Sequence, residues 1–554
     1  MNTNYKNYKA YPTMQLENRE WPTKSITKAP IWCSVDLRDG NQALPEPMSV
    51  EQKIEMFTLL KEMGYKEIEI GFPSASDTEF RFLRRLIEEG HVPSDVKVQV
   101  LVQAREHLIA RTFESLKGSK EAIVHFYNST STQQREVVFG KTKDEIKEIA
   151  IEGAKLLLKY EAQYPETTFY YEYSPESFTG TEMDYAMAVC NAVIDVLKPT
   201  PDKKLIINIP ATVEMATPNV YADQVEWFSK TINKRDSIIL SLHAHNDRGT
   251  AVAATELSMM AGADRVEGTL FGNGERTGNV DILNVAMNLF SQGIDPEVNI
   301  ENVNHIIDVY THTTGMSVHD RHPYAGKLVY TAFSGSHQDA IRKGLKHHED
   351  TKAEYWNVPY LPINPDDIGR QYEPIIRINS QSGKGGVAYI LEDSYGYTCP
   401  KPMHPELSAP IQKKTDETGK ELTPDGIFEL FIQNFVNIET PMKLVHFNSS
   451  YKDGDENSVT IESVVRVNGT ERKIVGLGNG PISAFFHGIQ SIGYDGYKLK
   501  DYTEHAISGS EDAVAAAYIQ LENEAGKKCY GVGTDANINK ASIKALISAI
   551  NRLN

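Results

Sequence analysis

The stretch Ser237-Ile-Ile-Leu-Ser-Leu-His-Ala-His-Asn-Asp247 decides how this chain is read. Its first half is apolar and β-branched, the composition of a strand buried on both faces. Its second half turns polar, and a helical pattern over 249–261 with a stop at Gly262 follows directly. Side chains alternate along a strand, so His243 and His245 share one side at its C-terminal end. Two imidazoles placed in this way can hold a divalent cation between them. The plainer alternative is that one caps the strand end and the other is solvated.

Units of the same kind lie on both sides of it. Strands are expected at 31–36, 67–72, 96–102, 122–126, 169–173, 205–209, 238–243 and 266–270, each leading to a helix. Ser49 with Gln52 forms a capping box, with Ile54, Phe57, Leu60 and Met63 on one face and Gly64 as the stop. Ser76 with Glu79 opens the next helix, carrying Phe80, Leu83 and Ile87 inward. The remaining helices are expected at 105–117, after Thr142 (capped by Glu145), and at 181–197, 218–232, 249–261 and 280–291. Eight units in unbroken series, with no Gly-rich nucleotide fingerprint after the first strand, favour a closed (β/α)8 barrel over an open doubly wound sheet. The barrel is expected over residues 30–325, after a polar arm at 1–29.

With 554 residues the chain is long enough for two to four domains, and 40% hydrophobic residues suffice for real cores. The net charge of −18 argues against nucleic acid or an anionic membrane as partner. No apolar run approaches a membrane span, and the N-terminus lacks the apolar core of a signal peptide. Cys33, Cys190, Cys399 and Cys529 are scattered, which suits neither a disulfide scaffold nor a structural zinc site. A cytoplasmic, reducing location is therefore expected.

In a barrel of this kind, chemistry sits at the C-terminal strand ends. The first strand delivers Arg38, Asp39 and Gln42, and the second ends with Glu69. The fourth delivers His125, the fifth Ser174 and Glu176, and the sixth Thr212. The seventh delivers the two histidines, and the eighth Glu275 and Asn279. Asp39 added to His243 and His245 makes a three-ligand set with positions left open for water or substrate, and Asn279 could add a neutral oxygen. Standing alone, Asp39 would read as a turn residue in Asp-Gly. Arg38 would place a permanent cation near a developing oxyanion, and an ion pair with Glu69 is compatible with that role.

Four motifs taken together carry a family resemblance: Leu-Arg38-Asp39-Gly-Asn-Gln42, Glu69-Ile-Gly-Phe-Pro, His243-Ala-His245-Asn-Asp and Gly-Asn-Gly-Glu275-Arg-Thr-Gly-Asn279-Val. The chain resembles the isopropylmalate and homocitrate synthase family of metal-dependent barrel acyltransferases, in its longer bacterial and fungal form. The resemblance runs from about residue 30 to the C-terminus. It implies condensation of acetyl-CoA with 3-methyl-2-oxobutanoate and water to give 2-isopropylmalate and CoA, the first committed step of leucine biosynthesis. It implies Asp39, His243 and His245 as metal ligands with Asn279 beside them, and magnesium, or else manganese or zinc, as the cation. A monovalent cation is implied as a further activator. His125, Ser174, Glu176, Thr212 and Gln42 would line the 2-oxo acid pocket, and Glu69 and Glu275 would support it.

After the barrel, linker subdomains are expected over 326–437. The histidine-rich run at 317–323 has no defensible metal spacing. The segments Phe333-Ser-Gly-Ser-His337 and Val358-Pro-Tyr360 resemble the family's connectors, which supply a histidine and a tyrosine at the acetyl-CoA side. A thioester methyl is a poor acid and needs a positioned base. His337, oriented by Tyr360, is implied as that base or its relay, with Glu176 as the rival. The run at 380–386 lacks P-loop spacing and reads as a hinge, and 401–421, rich in Pro and Lys, reads as an exposed boundary.

Over 438–554 a pattern repeats. Gly476-Leu-Gly478 and Gly531-Val-Gly533 stand 55 positions apart, each between strand-like runs and a helix. This reads as a duplicated β-β-β-α unit forming one small α+β sandwich. Its plain role is dimerisation. By resemblance it is the domain where leucine binds and inhibits, with Gly531 and Gly533 as candidate site residues in a homodimer. Rival readings are homocitrate or citramalate synthesis on the same barrel, a metal hydrolase with H-x-H on its first strand, and a non-catalytic leucine-binding regulator.

Overall fold

The computed structural model describes residues 3–332, 334–372, 385–418, 422–452, 455–507 and 513–554. It divides into two compact units, Met1–Tyr330 with Ile363–Gln371, and Thr331–Pro362 with Tyr372–Asn554.

The first unit is a closed parallel barrel of eight strands: β1 (Ile31–Ser34), β2 (Glu67–Gly71), β3 (Lys97–Gln103), β4 (Glu121–Ser129), β5 (Thr168–Glu176), β6 (Leu205–Ala211), β7 (Ile238–Ala244) and β8 (Arg265–Gly268). Each pairs with the next, and β8 returns to β1 with Trp32 opposite Val266 and Ser34 opposite Gly268. The expected capping boxes form at Ser49/Gln52 and Thr142/Glu145, each satisfying otherwise orphaned backbone donors. Two helix faces differ from expectation. The helix Asp77–Glu88 buries Phe82, Leu83 and Leu86, while the ring of Phe80 is half-buried beneath the Arg111 guanidinium. The helix Val50–Glu62 buries Met56, Phe57, Leu59 and Leu60, leaving Ile54 only partly covered. In both cases the apolar stripe is wide enough that periodicity alone leaves its centre uncertain by one position. The arm joins this unit too: Asp223 accepts from Trp21 Nε1 at 2.7 Å and from Arg19 Nε at 2.7 Å.

The second unit contains the duplicated module. One copy is β9 (Met442–Lys452), β10 (Asp455–Val467), β11 (Thr470–Gly478) and the helix Pro481–Gln490; the other is β12 (Tyr497–Ala506), β13 (Ala515–Asn523), β14 (Lys528–Asp535) and the helix Ile538–Leu553. Each copy forms an antiparallel three-stranded sheet with its middle strand second in sequence. The glycine pairs explain the repeat. A Cβ on Gly476 would sit 1.9 Å from the Ala484 carbonyl oxygen, and one on Gly533 would sit 2.0 Å from that of Ala541. Only a residue without a side chain lets each helix lie this close on its strand. Gly531 has the same role, 2.3 Å from the Ala545 oxygen, so the structure gives Gly531 and Gly533 a packing function.

The stretch 401–421, expected as exposed, is largely helical. Residues His404–Thr418 form a helix with Pro410 inside it, burying Leu407 and Ile411. Its polar residues face out and the apolar ones dock on the second sheet, so composition was outweighed by an amphipathic pattern. Alternate β13 residues face opposite ways: Ala517 and Ile519 join the core under the C-terminal helix, while Ala516 and Tyr518 pack with Leu407, Ile411 and Phe431. The linker helices thus pack directly against the second sheet of the duplicated module. Phe333 and residues 380–384 of the expected hinge lie outside the described residues. No helix among the described residues is long and apolar enough to cross a membrane.

Candidate active site

The strand β1 does not run on to residue 36 as expected. After Val35 the backbone makes a π-helical turn over Asp36–Gly40, in which Arg38, Asp39 and Gly40 all donate their N–H to the Val35 carbonyl, at 3.2, 2.9 and 3.1 Å. Single π turns of this kind re-aim side chains and are common at functional sites. The turn is tied to the end of β8, where the Leu270 N–H donates to Asp36 at 3.0 Å. Burial pushes the Asp36 carboxyl up to about 7 despite the hydroxyl of Ser34 and this N–H.

The turn presents Arg38 and Asp39 to a cavity of about 270 Å³ at the C-terminal end of the barrel. The same cavity is lined by Gln42, His125, Ser174, Glu176, Thr212, His243, His245 and Glu275, contributed by six of the eight strands or their following loops. Asn279 lies just behind, in a β-bridge with His245. Glu69 lies beneath, accepting from Arg38 Nε at 2.5 Å and contacting His125 Nδ1 at 2.8 Å. His337 and Tyr360 belong to the second unit, where their rings stack with centroids 4.0 Å apart.

Asp39, His243 and His245 converge within 4.8 Å, all buried. His243 places Nδ1 2.8 Å from Glu267 Oε2 and Nε2 3.1 Å from Asp39 Oδ2; His245 Nε2 is 3.7 Å from the same Asp39 oxygen. An acceptor-only carboxylate at Nδ1 assigns the proton to that nitrogen, so the Nε2 lone pair faces an anionic oxygen. Such a pair requires a cation between its members, either a proton or a metal ion. Burial opposes charge on His243, but the hydrogen bonds with Asp39 and Glu267 prevail and raise its pKa to about 9. Burial, and then repulsion from His243, push His245 down to about 4. Burial alone would raise Asp39, but Arg38 and both histidines hold it well below the usual carboxylate range.

Two buried atoms of the set have no hydrogen-bond partner: His245 Nδ1 and Asn279 Oδ1, the latter because its Nδ2 donates to the Asn273 carbonyl at 3.0 Å. Two imidazoles and a carboxylate form a donor set that a divalent cation takes, and the open amide oxygen of Asn279, whose backbone bridges to His245, is a further neutral donor nearby in the chain. Gly278 makes the loop possible. Its φ is +95°, and a Cβ there would meet the Gly272 carbonyl oxygen at 1.8 Å.

Several members of the site gave no signal that was read from the sequence. Leu101, Tyr127, Asn208 and Arg276 also line the cavity. Below them the barrel interior is ionic, not aliphatic. Arg265, fully buried, bonds Glu67 Oε2 at 2.6 Å and Gln99 Oε1 at 2.8 Å, and contacts Glu267. Glu172 is also fully buried. Its oxygens lie 3.2 Å from His125 Nε2 and from Arg265 Nη1, ion-pair separations without hydrogen-bond alignment. Burial, and then Glu267, push its pKa well up, so Glu172 is the neutral member of this carboxyl pair. The available signal was a charged pair, Arg265 and Glu267, inside a stretch that had to be a buried strand.

Comparison with known proteins agrees with this geometry. The family profile described as HMGL-like matches residues 29–309, that of the alpha-isopropylmalate synthase post-catalytic domain matches 327–392, and that of the LeuA allosteric (dimerisation) domain matches 421–554. The chain is 57% identical to the 2-isopropylmalate synthase of Clostridium acetobutylicum over 99% of both chains. It is 54% identical to that of Acetoanaerobium sticklandii over 99% of this chain and 97% of the relative. Identity to that of Agrobacterium fabrum is 53%, over 99% and 98%. The chain belongs to the 2-isopropylmalate synthase family.

Proposed function

We infer that this chain condenses acetyl-CoA with 3-methyl-2-oxobutanoate and water, giving 2-isopropylmalate and CoA. What carries the reading is that ten side chains implied by the family resemblance, from Arg38 to Glu275, line one cavity at the barrel mouth. A proton leaves the acetyl methyl, the resulting carbon attacks the ketone carbon, and the ketone oxygen takes up the electron pair and then a proton. Water then cleaves the thioester, releasing the CoA thiol and a second carboxylate.

Each residue has a share in this. A divalent cation held by Asp39, His243 and His245 with Asn279 beside them (magnesium, with manganese or zinc as alternatives) supplies Lewis-acid polarisation of the ketone. Arg38 is clamped by Glu69 at 2.5 Å and Asp39 at 3.1 Å, so its charge is already in place for the oxyanion that develops. His125 and Ser174, 2.7 Å apart, and Thr212 bring hydrogen-bonding groups to the wall that reads the 2-oxo acid. Gln42 Nε2 reaches Glu275 Oε1 at 3.4 Å, bracing the loops after β1 and β8. The candidate bases are His337 with Tyr360, and Glu176, which lines the cavity and whose carboxylate accepts from Ser129.

Leucine as inhibitor and a second copy of the chain as partner are proposed from the match of 421–554 to an allosteric dimerisation domain. The exposed Val475, Leu477 and Val445 on the outer face of the β9–β11 sheet support an interface there. A cytoplasmic location is proposed with them.

The test is thiol release from acetyl-CoA with a panel of 2-oxo acids, with and without leucine. The fastest release is expected with 3-methyl-2-oxobutanoate, and leucine should slow it. Faster release with 2-oxoglutarate or pyruvate would move the chain to the homocitrate or citramalate reaction, and leucine-insensitive release would remove the regulatory proposal.

A further inference from the structure

Among the metal-ligand candidates the two histidines are held very differently. The Nδ1 of His245 is buried and has no partner. The Nδ1 of His243 is 2.8 Å from Glu267 Oε2. Glu267 is itself fully buried, and both its oxygens are filled. Oε2 also accepts from Asn208 Nδ2 at 3.3 Å, while Oε1 accepts from Gln99 Nε2 at 3.4 Å and contacts Arg265 Nη1. Arg265 is anchored in turn by Glu67 Oε2 at 2.6 Å, Ser241 Oγ at 2.9 Å and Gln99 Oε1 at 2.8 Å. A carboxylate this deep would be costly if left unpaired. Here three donors, from Asn208, Gln99 and Arg265, hold it in one orientation and aim one lone pair at a single imidazole nitrogen.

We propose that Glu267, anchored by Arg265, is the positioning residue of the metal centre: it fixes the tautomer and ring orientation of His243 and leaves His245 as the adaptable ligand. An anion that can only accept makes Nδ1 the protonated nitrogen, turns the Nε2 lone pair toward Asp39 and the ion, and makes that lone pair more basic. Among the described residues, the two nearest polar neighbours do not take its place. Glu172 has no hydrogen bond to either histidine ligand, and Asn208 already donates to Ser174 Oγ at 3.0 Å and to Glu267. The inference rests on the metal-centre reading of Asp39, His243 and His245, and it assigns Glu267 no contact with substrate.

The experiment is titration of chelator-stripped protein with Mn2+, following the free ion by electron paramagnetic resonance, for the parent, His243→Ala, Glu267→Gln and Glu267→Asp. The parent should bind one ion per cavity and His243→Ala should lose that binding. Glu267→Gln should bind about 10- to 100-fold more weakly, the range seen when the partner of a ligating histidine is removed. Its thiol release should largely return at saturating Mn2+, which a damaged fold would not allow. Glu267→Asp, which keeps the charge, should recover part of the affinity. A folded Glu267→Gln protein that binds Mn2+ within twofold of the parent overturns the proposal while leaving the metal centre intact. A parent that binds no Mn2+ overturns both. If neither variant folds, Glu267 is a structural group of the barrel and the positioning role is likewise overturned.

Discussion

Replacing His243 with alanine should lower metal-dependent thiol release by about 10³-fold or more, since Lewis-acid assistance by a metal is worth several kcal/mol and each ~1.4 kcal/mol is tenfold in rate. The substitution removes one of the three converging groups proposed as ligands, leaving Asp39 and His245 3.7 Å apart as the remaining pair. It also removes the Nδ1 donor to Glu267, which keeps Asn208, Gln99 and Arg265 as partners. That residual network predicts a protein that folds but does not turn over. A thermal melt alongside the assay separates the two effects. Activity within tenfold of the parent, at the same metal concentration, would refute the ligand assignment.

The second large effect is expected at Arg38. Its guanidinium spans two carboxylates, with Nε at 2.5 Å from Glu69 and Nη1 at 3.1 Å from Asp39. Burial would discourage the charge, but Asp39 and Glu69 hold the pKa above even the usual arginine value, so the cation is permanent. Charge preorganised in this way acts where negative charge develops, and removing one such stabiliser costs about 10²–10³ in kcat. Arg38→Ala should therefore lower kcat and kcat/KM for the 2-oxo acid together, the pattern of an interaction made only in the transition state. Arg38→Lys should fall between, because an ammonium cannot span both carboxylates as the planar fork does. A rise in KM with unchanged kcat would make Arg38 a ground-state binding group instead.

The barrel was legible because eight apolar strands alternate with helical patterns and nearly all end in polar groups; Ser49, Ser76 and Thr142 cap their helices as their spacing required. The mouth was legible for the same reason, since strand ends in a barrel share one face. What stayed hidden depends on three dimensions. The π turn at Asp36–Gly40 is set by one carbonyl accepting from three N–H groups, a geometry with no residue signature. Glu267 and Glu172 read as strand residues, and their roles follow only from which strands close around them. The helix at His404–Thr418 was masked by its Pro and Lys content, and its buried face appears only against the sheet that receives it. Gly531 and Gly533 were conspicuous as a repeat, but the repeat marks where a helix lies on a strand.

The central claim is that a divalent cation at Asp39, His243 and His245 drives the condensation. It is tested most directly by thiol release from acetyl-CoA and 3-methyl-2-oxobutanoate, with protein stripped by chelator and then reloaded. The account predicts no release above background in the stripped protein and recovery on adding Mg2+ or Mn2+. Full release in excess chelator would contradict it.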